Sequence, residues 1–147
     1  MINKYSMNRD KIIENLKSYT SSKDKIVFAY LFGSLARGES GGNSDIDLGM
    51  YLIPDCQENF FALKLEYKNE LEQILKKPVD IVIMNDAPPL LNHQIFRDGI
   101  LLKNQDQKIL TNFRVRNFHF YQDQKTIMGM YLEATKKKIK EALHNGR

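Results

Sequence analysis

Cysteine is nearly absent from this chain of 147 residues, which has only Cys56. An intrachain disulfide is therefore excluded, and so is a zinc site built from several cysteines. Long apolar runs are also missing. Residues 26–32 form the longest nearly uncharged run, far short of the ~20 residues that span a bilayer. The N-terminal stretch MINKYSMNRDK carries charges where a signal peptide needs an apolar region. These absences predict a cytoplasmic protein without membrane contact.

Internal repeats, low-complexity stretches and Pro/Gly linkers are absent as well, and the length suits one domain. Apolar residues make up 42% and charged residues 27%, as in an ordinary globular protein, which excludes disorder of the whole chain. We therefore expect a single domain over residues 1–147. Its core is expected at about 7–104 and a C-terminal helical segment at about 105–144.

The net charge of +4 is unevenly distributed. Residues 114–147 contain eight Lys or Arg and three Asp or Glu, so the rest of the chain is close to neutral. Such a surplus is compatible with a solvated helix face, or with contact to an acidic partner or to RNA. The basic and aromatic signature of an RNA-binding sheet is missing, so direct nucleic-acid binding is not expected.

Hydrophobic periodicity predicts helices and strands in alternation. Helices are expected at residues 7–21, 57–76, 88–97 and 105–144, and the continuity of the last is open at Gly129. Strands are expected at residues 25–32, 45–53, 79–84 and 100–103. Between the first two strands, residues 33–44 hold four glycines and predict a loop with one helical turn. This succession predicts a small α/β or α+β domain.

Asp45 and Asp47 are the first candidate site residues. Residues i and i+2 of a strand point to the same face, so the predicted strand aims both carboxylates to one side. Their mutual repulsion is relieved by a bound divalent cation, and hard oxygen ligands favour Mg²⁺ or Mn²⁺. Asp80, within the apolar stretch PVDIVIM, offers a third carboxylate from a neighbouring strand.

Gly33 and Ser34 follow the first predicted strand directly. Gly33 lets the backbone turn sharply, and Ser34 can begin a helical turn whose free N–H groups and hydroxyl would cradle a phosphate. Arg37, one turn on, adds positive charge. A phosphate cradle facing a carboxylate–metal cluster suits nucleotidyl transfer, in which one ion holds the triphosphate and a second activates the attacking hydroxyl. Gly-Ser or Asp-x-Asp alone is usually a turn or a strand edge, but their combination favours this chemistry.

The segment GSLARGESGGNSDIDLGMYL, with VDIVI downstream, resembles the minimal nucleotidyltransferases of the polymerase-β superfamily. The family pattern is Gly-Ser, ten residues, Asp-x-Asp and then an acidic residue on a later strand. The resemblance implies a short mixed sheet flanked by helices with a long C-terminal helical segment, and Mg²⁺ and ATP as cofactor and substrate. The implied metal-binding and catalytic residues are Asp45, Asp47 and Asp80, and the implied nucleotide-binding residues are Gly33, Ser34 and Arg37.

The resemblance also implies a partner. Family members of this size are often antitoxins encoded beside a helical HEPN ribonuclease toxin, and they transfer AMP from ATP to a tyrosine of that toxin. The chain has no room for a large acceptor domain, so we expect a separate acceptor protein, with the basic C-terminal segment as a candidate docking surface. Two other functions stay open. One is a binding module that neutralises its partner by occlusion, and the other is nucleotidyl transfer to a small molecule or an RNA end.

Overall fold

The computed structural model describes residues 8–39, 45–54 and 59–146. Within these ranges, helices and strands alternate much as the periodicity predicts. The elements in chain order are α1 (Arg9–Ser21), β1 (Ile26–Phe32), α2 (Gly33–Arg37), β2 (Ile46–Leu52), α3 (Phe60–Leu75), β3 (Val79–Ile83), α4 (Pro89–Asp98), β4 (Ile100–Asn104) and α5 (Gln107–Asn145).

The four strands form one mixed sheet in the order β3-β2-β1-β4. Strand β1 is antiparallel to both of its neighbours, β2 and β4, whereas β3 is parallel to β2. The implied mixed sheet is therefore confirmed. This topology brings the end of β1 and the beginnings of β2 and β3 to the same end of the sheet, which is where the candidate site residues lie.

Both faces of the sheet are covered by helices, so the sheet is the middle layer of the domain. Helices α1 and α3 cover one face through buried side chains that include Leu16, Leu63 and Leu71. Helix α4 and the first turns of α5 cover the other face through Ile95 and Phe113. Ile46 and Leu48 of β2 belong to the core under α1 and α3. Because side chains alternate along a strand, Asp47 between them points to the opposite face, which α4 and α5 cover.

Capping side chains account for three of the five helix starts in the described residues. Asn8 accepts a hydrogen bond from the backbone N–H of Lys11 at 2.8 Å, and Asn59 caps α3 in the same way through Phe61 N–H at 2.9 Å. Asp106 accepts from two N–H groups at the start of α5. These caps satisfy donors that a helix start leaves without partners.

Two details differ from the predicted pattern, and the structure decides a third that the pattern left open. Strand β2 begins at Ile46, so Asp45 precedes the strand instead of opening it. Helix α5, whose continuity at Gly129 the periodicity left open, is unbroken through that residue. Ile74 has the helical spacing from Tyr67 and Leu71 that predicts an apolar face, but its side chain is about half exposed. The predictions for residue 7, for the loop at 40–44 and for a helix start at 57 lie outside the described residues, as does Cys56.

Across the described ranges, no helix is both long enough and apolar enough to cross a membrane.

Candidate active site

Asp47 and Asp80 are direct neighbours in the sheet. They are register partners in the parallel β2–β3 ladder, and Phe32 at the end of β1 is the register partner of Asp47 on its other side. Neighbouring strands lie about 4.8 Å apart and paired residues point to the same face, so both carboxylates project from the face covered by α4 and α5. Asp47 is half-buried and Asp80 is exposed, which leaves the pair accessible from one side.

Gly33 packs directly against the Asp47 carboxyl group. A Cβ built on Gly33 would overlap Asp47 Oδ2 and would lie 3.0 Å from Asp47 Cγ. The backbone of Gly33 also has a φ of +77°, in the left-handed region that glycine tolerates and other residues avoid. The glycine is therefore required twice, for its conformation and for the space it leaves. The Gly-Ser and Asp-x-Asp motifs, separated in sequence, are in contact in the fold.

The helical turn predicted after β1 is the short helix α2, which begins one residue earlier than expected, at Gly33. Phe32 provides no side-chain hydrogen bond to the start of this helix. Ser34, the second residue of the helix, is half-buried. Arg37 lies in its last turn with an exposed side chain, and its Nε donates to Glu39 Oε2 at 3.0 Å. The arrangement leaves backbone N–H groups beside the carboxylates, with an arginine one turn away.

The electrostatics of the site are dominated by crowded negative charge. The pKa of Asp47 is raised, first by burial and then by the neighbouring charges of Asp80 and Asp45, while Arg37 opposes the shift. Ionisation of a carboxyl group in this position is unfavourable because of burial and charge repulsion, and a bound cation would offset both effects. The donor set is therefore of the kind that suits a hard divalent ion.

These carboxylates do not form a complete metal cage by themselves. Among the described residues, no group of three His, Cys, Asp or Glu side chains is placed to hold one ion. Asp45 is exposed just before β2, where it influences Asp47 through charge. Magnesium is commonly held by one or two carboxylates and completed by water and substrate phosphates, so this geometry fits an ion that arrives with a nucleotide.

Comparison with known families shows to which family the chain belongs. A sequence model of the family described as "Polymerase beta, Nucleotidyltransferase" matches residues 14–108, which include every candidate site residue. The chain belongs to this nucleotidyltransferase family. The matched region ends at the first turn of α5, so the family model covers the sheet and its site and leaves out most of the long helix.

Individual relatives of this nucleotidyltransferase are similar over most of its length. It is 32% identical to the protein adenylyltransferase MntA of Shewanella oneidensis over 118 residues, which cover 79% of this chain and 78% of the relative. A crystal structure described as a toxin–antitoxin with AMP-PNP superposes with a TM-score of 0.68 at 25% identity, covering 88% of this chain and 99% of that one. A crystal structure described as the toxin–antitoxin MntA-HepT superposes with a TM-score of 0.61 at 25% identity, covering 87% of this chain and 96% of that one.

Lys68, which no sequence motif pointed to, is bonded to the backbone next to the candidate site. Lys68 Nζ, on α3, donates to the carbonyl oxygen of Val79 at 2.7 Å, one residue before Asp80. Ile46 N–H donates to Pro78 O at 3.0 Å and ties the starts of the two strands together. A lysine on an amphipathic helix is ordinarily interpreted as solvent-exposed. No sequence signal therefore distinguishes Lys68 from the other charged residues of α3.

Proposed function

We propose that this nucleotidyltransferase is the antitoxin of a toxin–antitoxin pair and transfers AMP from ATP to a tyrosine of a HEPN ribonuclease toxin. The observation that carries the proposal is the similarity to a protein adenylyltransferase over more than three quarters of both chains. The similarity to a toxin–antitoxin structure with AMP-PNP supports the same choice of nucleotide and partner.

The three aspartates are proposed to share the catalytic work. Asp45, Asp47 and Asp80 would hold Mg²⁺, most simply as two ions, and Mn²⁺ is the alternative metal. When bound, the metal supplies Lewis-acid polarisation of the phosphates. Asp80 is the most exposed of the register pair, so an acceptor hydroxyl can approach it and give up its proton there. The acceptor oxygen then forms a bond to the α-phosphorus, and pyrophosphate leaves.

The glycine–serine turn is proposed to hold the triphosphate. The N–H groups at the start of α2 and the Ser34 hydroxyl would donate to phosphate oxygens, and Gly33 lets the phosphate approach next to Asp47. Arg37 would add charge after it exchanges Glu39 for a phosphate oxygen. Ser34 is assigned to binding the phosphate, and none of these residues is otherwise suited to act as a covalent nucleophile, so transfer should be direct, without an enzyme-bound intermediate.

The outer part of α5 is proposed as the surface that binds the toxin. Helix α5 has 39 residues, or about 58 Å, and only its first turns pack on the core, through Leu110, Phe113 and Asn117. Beyond residue 122 the helix is exposed and yet carries many apolar side chains, which normally mark an interaction surface. These exposed residues are Ile127, Met128, Met130, Tyr131, Leu132, Ile139 and Leu143. Lysines dominate its charged positions, so an acidic partner surface would match it.

The test is AMP transfer to the product of the neighbouring gene. The purified pair is incubated with ATP and Mg²⁺, and the partner is weighed by mass spectrometry, with Asp47→Asn as the matched inactive control. The proposal expects a partner heavier by one or more AMP units on tyrosine, and none with the control. A partner that is inhibited but unmodified would establish occlusion instead. Modification of RNA ends or small molecules alone would establish the third function.

A further inference from the structure

Arg9, the first residue of α1, is hydrogen-bonded to the active-site helix α2. Its Nε donates to the carbonyl oxygen of Leu35 and its Nη2 to that of Ala36, both at 2.9 Å. One planar guanidinium therefore bridges two consecutive carbonyl groups at the end of α2 that faces away from Gly33. These bonds join segments 26 and 27 residues apart in the chain.

Helix α2 needs such support because it is only five residues long. A single helical turn is unstable alone, so its orientation is decided by what it contacts. Leu35 and Ala36 bury their side chains, and Gly33 at the other end lies against Asp47. A cation at the carbonyl end of a helix is also favourable because of the partial negative charge there. Arg9 thus supplies a charged fixing point at one end of a helix whose other end lies against the carboxylates.

We propose that Arg9 is a positioning residue for the nucleotide site. It acts through α2, by fixing where the Gly33–Ser34 turn lies relative to Asp47, and it does not touch the nucleotide itself. The inference rests on the proposed function, in which this turn holds the triphosphate of ATP. Arginine is suited to the task because its fork donates to two oxygens at once, whereas lysine offers one point charge on a flexible stem.

The contact is separable from the stability of the fold. Helix α1 is held to the sheet by Ile12 and Leu16, which are almost fully buried, and it has its own cap at Asn8. Arg9 itself is exposed at the helix end. Removal of its guanidinium should therefore leave α1 folded while α2 loses its fixed position.

The experiment compares Arg9→Ala and Arg9→Lys with Lys11→Ala, a matched control that removes an exposed cation from the same helix. AMP-PNP binding with Mg²⁺ is measured by calorimetry on the full chain, together with KM for ATP, kcat and the melting temperature. We expect Arg9→Ala to weaken AMP-PNP binding and raise KM by about three- to tenfold, the size of an ordinary hydrogen-bond contribution, because Arg9 acts on the nucleotide only indirectly, through α2. Arg9→Lys should recover only part of the loss, and Lys11→Ala should match the wild type.

A second set of variants tests whether Arg9 acts through α2. If it does, Arg9→Ala should cost less affinity when Ser34→Ala has already removed the hydroxyl that α2 presents. Fully multiplicative losses, or a lower melting temperature with unchanged AMP-PNP affinity, would overturn the positioning role. A wild-type chain that binds no AMP-PNP with Mg²⁺ would overturn the proposed function as well. If the wild type transfers AMP and Arg9→Ala has the same AMP-PNP affinity and KM, the positioning role alone is overturned.

Discussion

Replacing Gly33 with alanine should damage both the stability and the chemistry of this protein. The new Cβ would overlap Asp47 Oδ2, with Asp47 Cγ only 3.0 Å away, so the carboxylate or the α2 backbone must move. Alanine at a φ of +77° costs about 1–2 kcal/mol in backbone strain. Forcing a methyl group into an occupied position costs about 1–3 kcal/mol more. The expected total is about 2–5 kcal/mol, a large part of the 5–15 kcal/mol that ordinarily stabilises a domain.

Gly38→Ala is the matched control for this substitution. Gly38 has nearly the same φ, +73°, but an added Cβ there would meet nothing within 4 Å. The control therefore carries the backbone strain and lacks the collision with Asp47. In urea unfolding, the free energy of unfolding of Gly33→Ala should be lower than that of Gly38→Ala by about 1–3 kcal/mol, the contribution of the steric overlap alone.

Activity separates the two variants further. A displacement of about 1 Å in a catalytic carboxylate commonly costs about 100-fold in rate, so Gly33→Ala should lose about that much AMP transfer while Gly38→Ala stays near the wild type. Both are assayed well below their unfolding transitions, so that folded molecules are compared. Equal stability and equal activity for the two variants would refute the packing of Gly33 against Asp47.

Three further predictions concern the aspartates and the long helix. Asp47→Asn should abolish AMP transfer and yet raise the urea midpoint at pH 7, because the folded-state pKa of Asp47 is raised and its ionisation therefore opposes folding. That gain should disappear as the pH falls below the carboxyl range, where wild-type Asp47 is protonated too. Asp80→Ala should depress the chemical step while AMP-PNP affinity, measured by calorimetry, is largely kept; a collapse of affinity at unchanged turnover would contradict its role as proton acceptor. Truncation after Gln122 should remove toxin binding in a pull-down without changing AMP-PNP affinity, whereas a cut near Asn112 would also delete the buried Phe113.

The elements and the meeting of the two motifs could be predicted from the sequence. Strand periodicity placed Asp47 and Asp80 on strands, and the register of β2 and β3 makes them neighbours. Gly33 was expected to turn the chain, and it does so with a positive φ. The strands and the glycine turn are local features, because each depends on residues close in sequence, and local preferences are what a sequence pattern records. The meeting of the two motifs is a tertiary feature, and it was expected from their combined chemistry.

The supporting contacts could not be predicted in the same way. Arg9 and Lys68 reach backbone carbonyl groups that are distant in sequence, and a backbone acceptor leaves no mark on residue type. Asp45 was expected to open strand β2, but the backbone hydrogen bond to Pro78 is made by Ile46. Such ends depend on tertiary contacts and not on propensity.

The register of β2 and β3 also bears on how the chain avoids misfolding. A slip of one residue would turn Asp80 to the face where Val79 and Ile81 now lie, against the apolar side chains of α3. An unpaired carboxylate in that core would cost several kcal/mol, so the slipped pairing is strongly disfavoured. The carboxylate of Asp80, proposed to act in catalysis, would thus also disfavour a misaligned pairing of β2 and β3. A neutral apolar residue at position 80 would remove the cost of burying a carboxylate in the slipped pairing. The native register would then be less strongly favoured over the slipped one.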